Sequence, residues 1–206
     1  LTNAIYFNGT WEKTFDKKAT KEDTFLLPDG TEAKVPMMNQ EEKHRYASAA
    51  GLLLLELGYL DFEMSMWVLL PAPPAEGKGN GKDYAAALEK LESSLTQENL
   101  ETWTSAANVR TVTVALPKFK TETFFSFADD LKTMGIKDAF SPNAADFSGM
   151  NEVKEPIDKL YLTSAVHKAY VDVNEEGTEA AAVTALAHGV MGLPPKPAVF
   201  RADPPF

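Results

Sequence analysis

The sequence predicts an α+β fold. Strand-like and helix-like segments follow one another without the regular β–α–β alternation that builds a doubly wound sheet, and the sequence contains no internal repeat. Of the 206 residues, 44% are hydrophobic and 24% are charged, which is the composition of an ordinary globular protein. The length suffices for one large domain or two small ones.

The first third of the chain predicts strands that are joined by tight turns. Pro28-Asp29-Gly30 separates two strand-like segments and favours a hairpin. The run MSMWVLL is apolar throughout and is ended by Pro71, which predicts a strand that is buried on both faces. The expected strands cover residues 1–11, 24–27, 33–38, 44–49, 52–57 and 64–70.

The remainder of the chain predicts two helices and two strands. Leucines at near-helical spacing with charged residues between them indicate a long helix. Alternation of valine with threonine indicates a strand, and a shorter amphipathic pattern that ends at Gly135 indicates a second helix. The expected elements are helices at 83–105 and 124–134, strands at 109–120 and 161–173, and irregular segments at 71–82 and 141–150.

Composition excludes several classes of function. A net charge of −10 disfavours nucleic-acid partners, and the sequence has no uncharged apolar run of the length that spans a membrane. The absence of cysteine excludes disulfide scaffolds, thiolate zinc sites and cysteine nucleophiles. The sequence has no HExxH, Walker or dinucleotide motif, so we expect neither a metal site nor a cofactor.

Three histidines are the candidates for acid–base chemistry. The sequence has no GxSxG motif, and Ser148-Gly149 lies in an irregular stretch, so a serine hydrolase is disfavoured. His44 lies in a charged run and is expected at the surface, whereas His167 lies among small and apolar residues and is expected in the core. A hydrolase that uses His167 stays as an alternative, but we expect no enzymatic activity; His188 falls in the segment considered next.

Residues 175–195 contain almost nothing that could build a core. In an extended chain Thr178, Ala180, Ala182 and Thr184 would share one face, where small side chains fit between neighbouring strands. Gly177 allows the backbone to bend at the start of this segment. Such residues bury little area, so the segment can become a strand but has little reason to be one at rest. An alanine-rich helix or a mobile linker is the alternative.

The second half of that segment predicts an exposed loop. Gly189, Gly192 and the pair Pro194-Pro195 disfavour regular structure. Met191 is a large apolar side chain in these surroundings, and a protease with a hydrophobic primary pocket could accept it.

Seven segments, in this order and spacing, resemble the serpin family of protease inhibitors. They are LTNAIYFNGTWEKTF, SMWVLLP, LPKFKTE, LKTMGIKDAF, ADFSGM, VHKAYVDVNEEGTEAA and FRADPPF. The resemblance covers the whole chain and implies the serpin fold, with mixed β-sheets A, B and C and surrounding helices. It implies that residues 1–206 are a partial serpin domain that lacks the N-terminal helical half and the last two strands.

The resemblance implies inhibition by a suicide-substrate mechanism and not catalysis. A serine protease attacks the exposed reactive loop, about residues 175–195, and forms an acyl-enzyme. The cleaved loop then enters the central sheet as a new strand, and the trapped protease is distorted before it can be released. A serpin with a binding, chaperone or storage role is the alternative.

The resemblance also assigns the hinge and the reactive bond. The hinge residues match those of inhibitory members and carry no bulky side chain at the insertion positions. A count of seventeen residues from Glu175 places the reactive bond between Met191 and Gly192, and the neighbouring bonds stay as alternatives because the segment to Phe200 is one residue longer than usual. The hinge comprises Glu175, Glu176, Gly177, Thr178, Glu179, Ala180, Ala181 and Ala182.

Two further sites of the family have counterparts here. Asn3 and His167 match the shutter, a hydrogen-bonded pair beneath the sheet that opens. Trp11, Lys118 and Glu175 match the breach, the upper entry point, where Lys118 and Glu175 are expected to form an ion pair. The signature FRADPPF departs from the family at Pro204, where histidine is usual, and proline removes a backbone donor there.

The implied partner is a chymotrypsin-like or elastase-like serine protease, with a cysteine protease as the alternative. Met191 favours these classes, and the absence of lysine and arginine from 175–195 disfavours trypsin-like targets. We expect an extracellular protein, with the cytoplasm as the alternative compartment. Asn8-Gly9-Thr10 matches a glycosylation sequon, but a tight turn before Trp11 is the favoured interpretation.

Overall fold

The computed structural model of this chain describes residues 1–7, 9–49, 51–61, 63–72, 81–150, 159–178, 196–204 and 206. The chain forms two compact units, each of which is made from two separate stretches of sequence. The first unit consists of Leu1–Phe7 and Lys120–Val171, and the second consists of Asn8–Phe119 and Asp172–Phe206.

Strands dominate the described part of the chain, and one of them is much longer than the rest. The strands are β1 (Thr2–Tyr6), β2 (Gly9–Thr10), β3 (Lys21–Leu26), β4 (Glu32–Ala49), β5 (Leu52–Gly58), β6 (Ser65–Pro71), β7 (Asn108–Pro117), β8 (Phe119–Ser126), β9 (Val166–Val173), β10 (Gly177–Thr178) and β11 (Ala198–Arg201). The helices are α1 (Gly81–Ser93), α2 (Gln97–Ala106) and α3 (Ala128–Thr133), with a 3-10 turn at Asp138–Phe140. Mixed sheets with few helices confirm the predicted α+β class.

No helix in the described ranges has the length and apolar character needed to cross a membrane.

The first unit contains a three-stranded sheet in the order β1-β9-β8. β1 and β9 run parallel and pair directly, from Thr2 opposite Val166 to Tyr6 opposite Tyr170. The sequence places a helix at 124–134, but α3 begins only at Ala128 because the residues before Phe127 still belong to β8. The predicted last strand is likewise shorter than expected and starts at Val166.

The second unit contains a six-stranded sheet in the order β11-β7-β4-β5-β6, with β3 paired to the first part of β4. β4 is eighteen residues long and takes part in three ladders. It pairs with β3 near its start, with β7 along its middle and with β5 at its end. The pairing of β11 with β7 is parallel, and the other ladders are antiparallel.

The hairpin between β3 and β4 follows the turn chemistry that its sequence predicts. Gly30 has φ +89°, a left-handed conformation that favours glycine. The Asp29 carboxylate accepts hydrogen bonds from the Thr31 amide at 2.8 Å and the Thr31 hydroxyl at 2.6 Å. The turn is therefore fixed by short polar side chains and not by packing.

The apolar core of this unit lies along the centre of the large sheet. Its fully buried side chains include Met37, Met38, Leu54, Leu55, Val112, Val114, Leu116 and Phe200. β6 is buried on one face only, at Val68 and Leu70, whereas Trp67 and Leu69 on the other face are partly buried. The prediction of burial on both faces is wrong, because the helices cover that second face incompletely.

The predicted single helix over 83–105 is divided into α1 and α2. The Thr96 hydroxyl accepts a hydrogen bond from the Asn99 amide at 3.2 Å and caps the start of α2. Leu91 of α1 and Trp103 of α2 both pack against the core. The leucine spacing continues through the break, so periodicity alone conceals it.

The predicted strand over 109–120 is also divided, at Lys118. β7 ends at Pro117, which has no amide hydrogen for a further ladder bond, and β8 begins at Phe119. The Lys118 amide donates to the Pro36 carbonyl at 2.9 Å, which fixes the backbone of Lys118 beside β4.

Candidate functional site

A tight turn follows β9 and starts the segment that the sequence assigns to the hinge. Asn174 and Gly177 exchange backbone hydrogen bonds, and the Asn174 side chain accepts one from the Glu176 amide at 3.0 Å. β10 then pairs antiparallel with β2, with Gly177 opposite Thr10 and Thr178 opposite Gly9. The turn therefore reverses the chain before it leaves the described residues.

Gly177 occupies a position that accepts no other residue. Its φ of +136° is in the range that side chains rarely adopt. A Cβ atom there would lie 2.1 Å from the Gly9 carbonyl oxygen and 2.7 Å from the Thr10 Cα. Both backbone conformation and space therefore require glycine.

Trp11 holds the turn from one side. It is 2% exposed, and its ring stacks on Tyr59 with a centroid separation of 4.6 Å. Its indole Nε1 donates to the Asn174 carbonyl at 2.9 Å, and its backbone amide donates to the Glu176 carbonyl at 3.0 Å. One tryptophan thus binds both ends of the turn.

Glu175 holds the turn from the other side. It is 4% exposed, and its carboxylate lies 2.9 Å from the Lys118 ammonium and accepts a 2.8 Å hydrogen bond from the Thr20 hydroxyl. The Glu175 carbonyl accepts from the Phe15 amide at 2.8 Å. We call Trp11, Phe15, Thr20 and Lys118, with the segment Asn174–Gly177, the hinge clamp.

The ionisation of Glu175 reflects these contacts. Burial is the largest single influence and would raise the pKa of the carboxyl, because it removes water from the charged form. The hydrogen bonds from Lys118 and Thr20, a backbone hydrogen bond and the charge of Lys118 together outweigh burial and hold the pKa of Glu175 below its ordinary value of 4.5. The carboxylate therefore stays charged at neutral pH and keeps both partners.

The next residue of the same turn makes a different kind of contact. The Glu176 carboxylate lies 2.5 Å from the Lys17 ammonium, and the Lys17 side chain is 68% exposed. The hydrogen bond to Glu176 is the main reason why the pKa of Lys17 is raised. This pair lies in solvent and contributes little to holding the turn.

The two shutter residues lie in the sheet of the first unit. Asn3 of β1 and His167 of β9 are directly opposite one another in the parallel register. His167 is partly buried, with its ring 5.2 Å from the ring of Phe125, and Asn3 is exposed. The register brings the two backbones together, and the hydrogen-bonded role of their side chains stays a prediction.

Several predicted residues lie outside the described residues. They are Glu179, Ala180, Ala181 and Ala182 of the hinge, Met191 and Gly192 of the reactive bond, His188, and Asn8 of the sequon. Thr178 is described in its backbone alone. Their roles stay predictions.

His44 contradicts the expectation of a surface histidine. It is 7% exposed, and it shares a face of β4 with the buried Tyr46, whereas Lys43 and Arg45 point to the opposite face. Burial is the main reason why the pKa of His44 falls from 6.5 to about 4, and the Lys13 ammonium lowers it further. Because successive side chains of a strand point to opposite faces, His44 lies on the other face of β4 from its charged neighbours in the sequence.

Sequence reasoning missed three members of the site. Phe15, Thr20 and Tyr59 contact the hinge or its tryptophan from distant positions, and nothing in their local sequence distinguishes them. Among the described residues, no group of three histidine, aspartate or glutamate side chains could hold a metal ion. The described contacts therefore fix the segment Asn174–Gly177 in place.

Comparison with known proteins gives a consistent result. A family model described as Serpin (serine protease inhibitor) matches residues 1–206. Human leukocyte elastase inhibitor is 39% identical over 211 residues, which cover 100% of this chain and 52% of that protein. Mouse antithrombin-III is 37% identical over 207 residues, covering 100% of this chain and 42% of that protein.

Solved structures agree with the sequence comparison. Uncleaved ovalbumin matches with a TM-score of 0.74 and 33% identity, over 98% of this chain and 49% of that chain. A thyroxine-binding globulin complex with thyroxine matches with a TM-score of 0.74 and 28% identity, over 98% and 49% respectively. The chain thus spans about half the length of the relatives that it matches.

Proposed function

Because this chain belongs to the serpin family of protease inhibitors, we propose that the full-length protein traps a serine protease as a suicide substrate. The observation that carries this proposal is the run of small residues at alternate positions, Thr178, Ala180, Ala182 and Thr184, directly after the clamped Gly177. Two relatives that span the whole chain bear the names antithrombin-III and leukocyte elastase inhibitor.

The first step is attack on the reactive bond. The protease serine hydroxyl attacks the Met191 carbonyl, the bond to Gly192 breaks, and the new amino terminus of Gly192 leaves with a proton. Met191 stays esterified to the protease. The chain before Met191 is then detached from Gly192, carries the protease at its distal end and is still fixed at the hinge clamp.

The second step is insertion of the freed segment as a strand. β1 and β9 pair directly in parallel, so an inserted strand would replace one parallel ladder. The turn Asn174–Gly177 reverses the chain after β9, so the segment would run antiparallel to both strands. One parallel ladder would become two antiparallel ladders, and this gain of backbone hydrogen bonds is the driving force.

The hinge clamp gives insertion a fixed starting point. Glu175 and Trp11 tie the turn to the body of the protein, so cleavage of the loop does not release its proximal end. The small side chains that follow Gly177 would enter the sheet first, with no bulk to displace. A fixed origin directs the freed segment into the sheet from its hinge end.

The side chain before the reactive bond suggests the target class. Met191 fits the apolar primary pockets of chymotrypsin-like and elastase-like proteases. Residues 175–195 contain no lysine or arginine that would suit a trypsin-like pocket. A cysteine protease is the alternative target, because it forms an acyl-enzyme by the same route.

The decisive experiment mixes the full-length protein with chymotrypsin or elastase. We expect a covalent complex that survives SDS. Ala182→Arg should abolish the complex and leave a cleaved substrate, because residue 182 would lie on the buried face of the sheet. Ala181→Arg should retain the complex, because residue 181 would lie on the opposite face. Clean cleavage of the unaltered protein without any complex contradicts the proposal, and so does equal loss in both variants.

A serpin with a binding or storage role is the second candidate. It is favoured by the structural similarity to ovalbumin and to thyroxine-binding globulin, which are non-inhibitory. In that case cleavage after Met191 should leave the melting temperature unchanged. An inhibitory serpin should instead melt at a much higher temperature after cleavage, because the inserted strand replaces one ladder by two.

We propose an extracellular location, with the cytoplasm as the alternative. Asn8-Gly9-Thr10 is a sequon that only the secretory route would glycosylate. Enzymatic deglycosylation of the protein from its native source should therefore increase its gel mobility. Protein that is recovered from the cytosol and shows no shift contradicts the proposal.

A further inference from the structure

His44 carries a polar atom that the fold leaves without a partner. Its Nε2 atom is buried and makes no hydrogen bond to any described residue, whereas the Glu56 carbonyl is a partner of the ring. His44 as a whole is more than nine-tenths buried. An unpartnered polar atom in such a place destabilises the folded state, because it loses water and gains nothing in return.

The narrow space beside the ring provides no hydrogen-bond partner for the Nε2 atom. A narrow crevice adjoins His44 and has no room for a water molecule. Its walls come from Trp11, Glu12, Lys13, His44, Leu57 and Gly58. Because the Nε2 atom is already enclosed by these neighbours, a partner from elsewhere would reach it only by displacing them.

The same walls support the hinge clamp. Trp11 donates hydrogen bonds to both Asn174 and Glu176, and each of the two residues after it donates one more. The Glu12 amide donates to the Gly58 carbonyl at 2.9 Å, and the Lys13 ammonium donates to the Lys43 carbonyl at 2.6 Å. The imidazole therefore adjoins the backbone segment that holds the hinge.

We propose that His44 is a positioning residue that loosens the hinge clamp through the segment Trp11–Lys13. The unpartnered Nε2 atom lowers the stability of the packing around this segment, so the hinge stays ready to move when the loop is cleaved. The proposal rests on the proposed inhibitory function for its consequence, and on the described contacts for its physical basis.

The test replaces His44 by phenylalanine in the full-length protein. Phenylalanine has a similar shape and carries no polar atom. The midpoint of urea unfolding at pH 7.5 should rise by about 0.5 M. The number of inhibitor molecules consumed per protease inhibited should rise about twofold, because a tighter hinge inserts more slowly and more acyl-enzyme hydrolyses.

Two further variants keep the test decisive. Tyr46→Phe, two residues along the same face of β4, is the matched control and should change neither quantity. If His44→Phe is not recovered as folded protein, His44→Leu makes the same comparison with a smaller side chain. A midpoint that falls or stays constant in the folded variant overturns the proposal.

The two measurements separate this proposal from the proposed function. A higher midpoint with an unchanged inhibitor-to-protease ratio overturns the link to the hinge, because a merely structural residue would give that result. If the unaltered protein forms no complex with any protease, the proposed function fails. The comparison of unfolding midpoints still decides whether the unpartnered Nε2 atom of His44 lowers the stability of the fold.

Discussion

Glu175 and Glu176 are neighbours on one turn, and both pair with a lysine, yet only one of them anchors the hinge. Glu175 is enclosed and shares its carboxylate between Lys118 and Thr20. Glu176 meets Lys17 at the surface, at a shorter distance of 2.5 Å. The comparison teaches that enclosure and the number of partners determine the strength of an anchor, whereas the length of one ion pair does not.

The largest effect is expected where the turn allows no side chain. Gly177→Ala should lower the free energy of unfolding by about 3 kcal/mol or more, because the new Cβ meets backbone atoms in a left-handed position. Gly135→Ala is the matched control, since Gly135 also has a positive φ but open space around it. It should lose only about 1 to 2 kcal/mol in the same urea titration. Equal losses would show that the close contact at Gly177 is unimportant.

The next largest effect is a loss of folding stability in acid that depends on His44. Unfolded histidine binds a proton near pH 6.5, but folded His44 does so only near pH 4. Stability should therefore fall by up to about 3 kcal/mol between these values and then level off. Urea titrations at pH 7 and pH 4 measure this loss, and His44→Phe should remove most of it. A loss of the same size in that variant would assign the acid response to other groups.

The comparison of the two glutamates is tested by a matched pair of variants. Glu175→Gln should lower the free energy of unfolding by about 1 to 2 kcal/mol, because Lys118 and Thr20 lose a charged partner. Glu176→Gln should leave the urea midpoint unchanged. Since the folded pKa of Glu175 is depressed, its stabilisation exists above pH 4.5 and disappears as the pH falls through that lower folded pKa. The difference between the variants should therefore shrink in acid, and a difference that persists contradicts the account.

The smallest effect is expected at the surface pair. Lys17→Met should change neither the unfolding midpoint nor its dependence on salt, because the Lys17 side chain is largely exposed and its partner is held by a backbone bond to Trp11. A clear loss in this variant, measured beside Glu175→Gln, would mean that the turn depends on both ion pairs.

The parts of the fold that follow local patterns could be predicted from the sequence. The Pro28-Asp29-Gly30 hairpin needs only its own turn residues, and the small residues after Gly177 are visible as an alternation. The division of the helix at Thr96 was not predictable from spacing, because leucines continue across the break while a single hydroxyl caps the second helix.

The environment of the hinge depends on contacts that local patterns do not encode. Thr20 and Phe15 reach Glu175 from positions about 155 residues earlier in the chain. His44 is buried because it lies on the covered face of β4. Its charged neighbours in the sequence had instead predicted a surface position. Family resemblance identified Trp11, Lys118 and Glu175, but the partners that complete the clamp required the structure.

The central claim is that the cleaved loop enters between β1 and β9, and the spacing of these strands tests it most directly. These 206 residues contain no cysteine, and Ala4 and Lys168 face each other in the register. With any cysteine elsewhere in the full-length protein replaced by serine, Ala4→Cys and Lys168→Cys can carry one pair of spin labels. After reaction with the protease, the separation of the labels should grow by about 4.8 Å, the spacing of one added strand. An unchanged separation in the covalent complex would contradict the account.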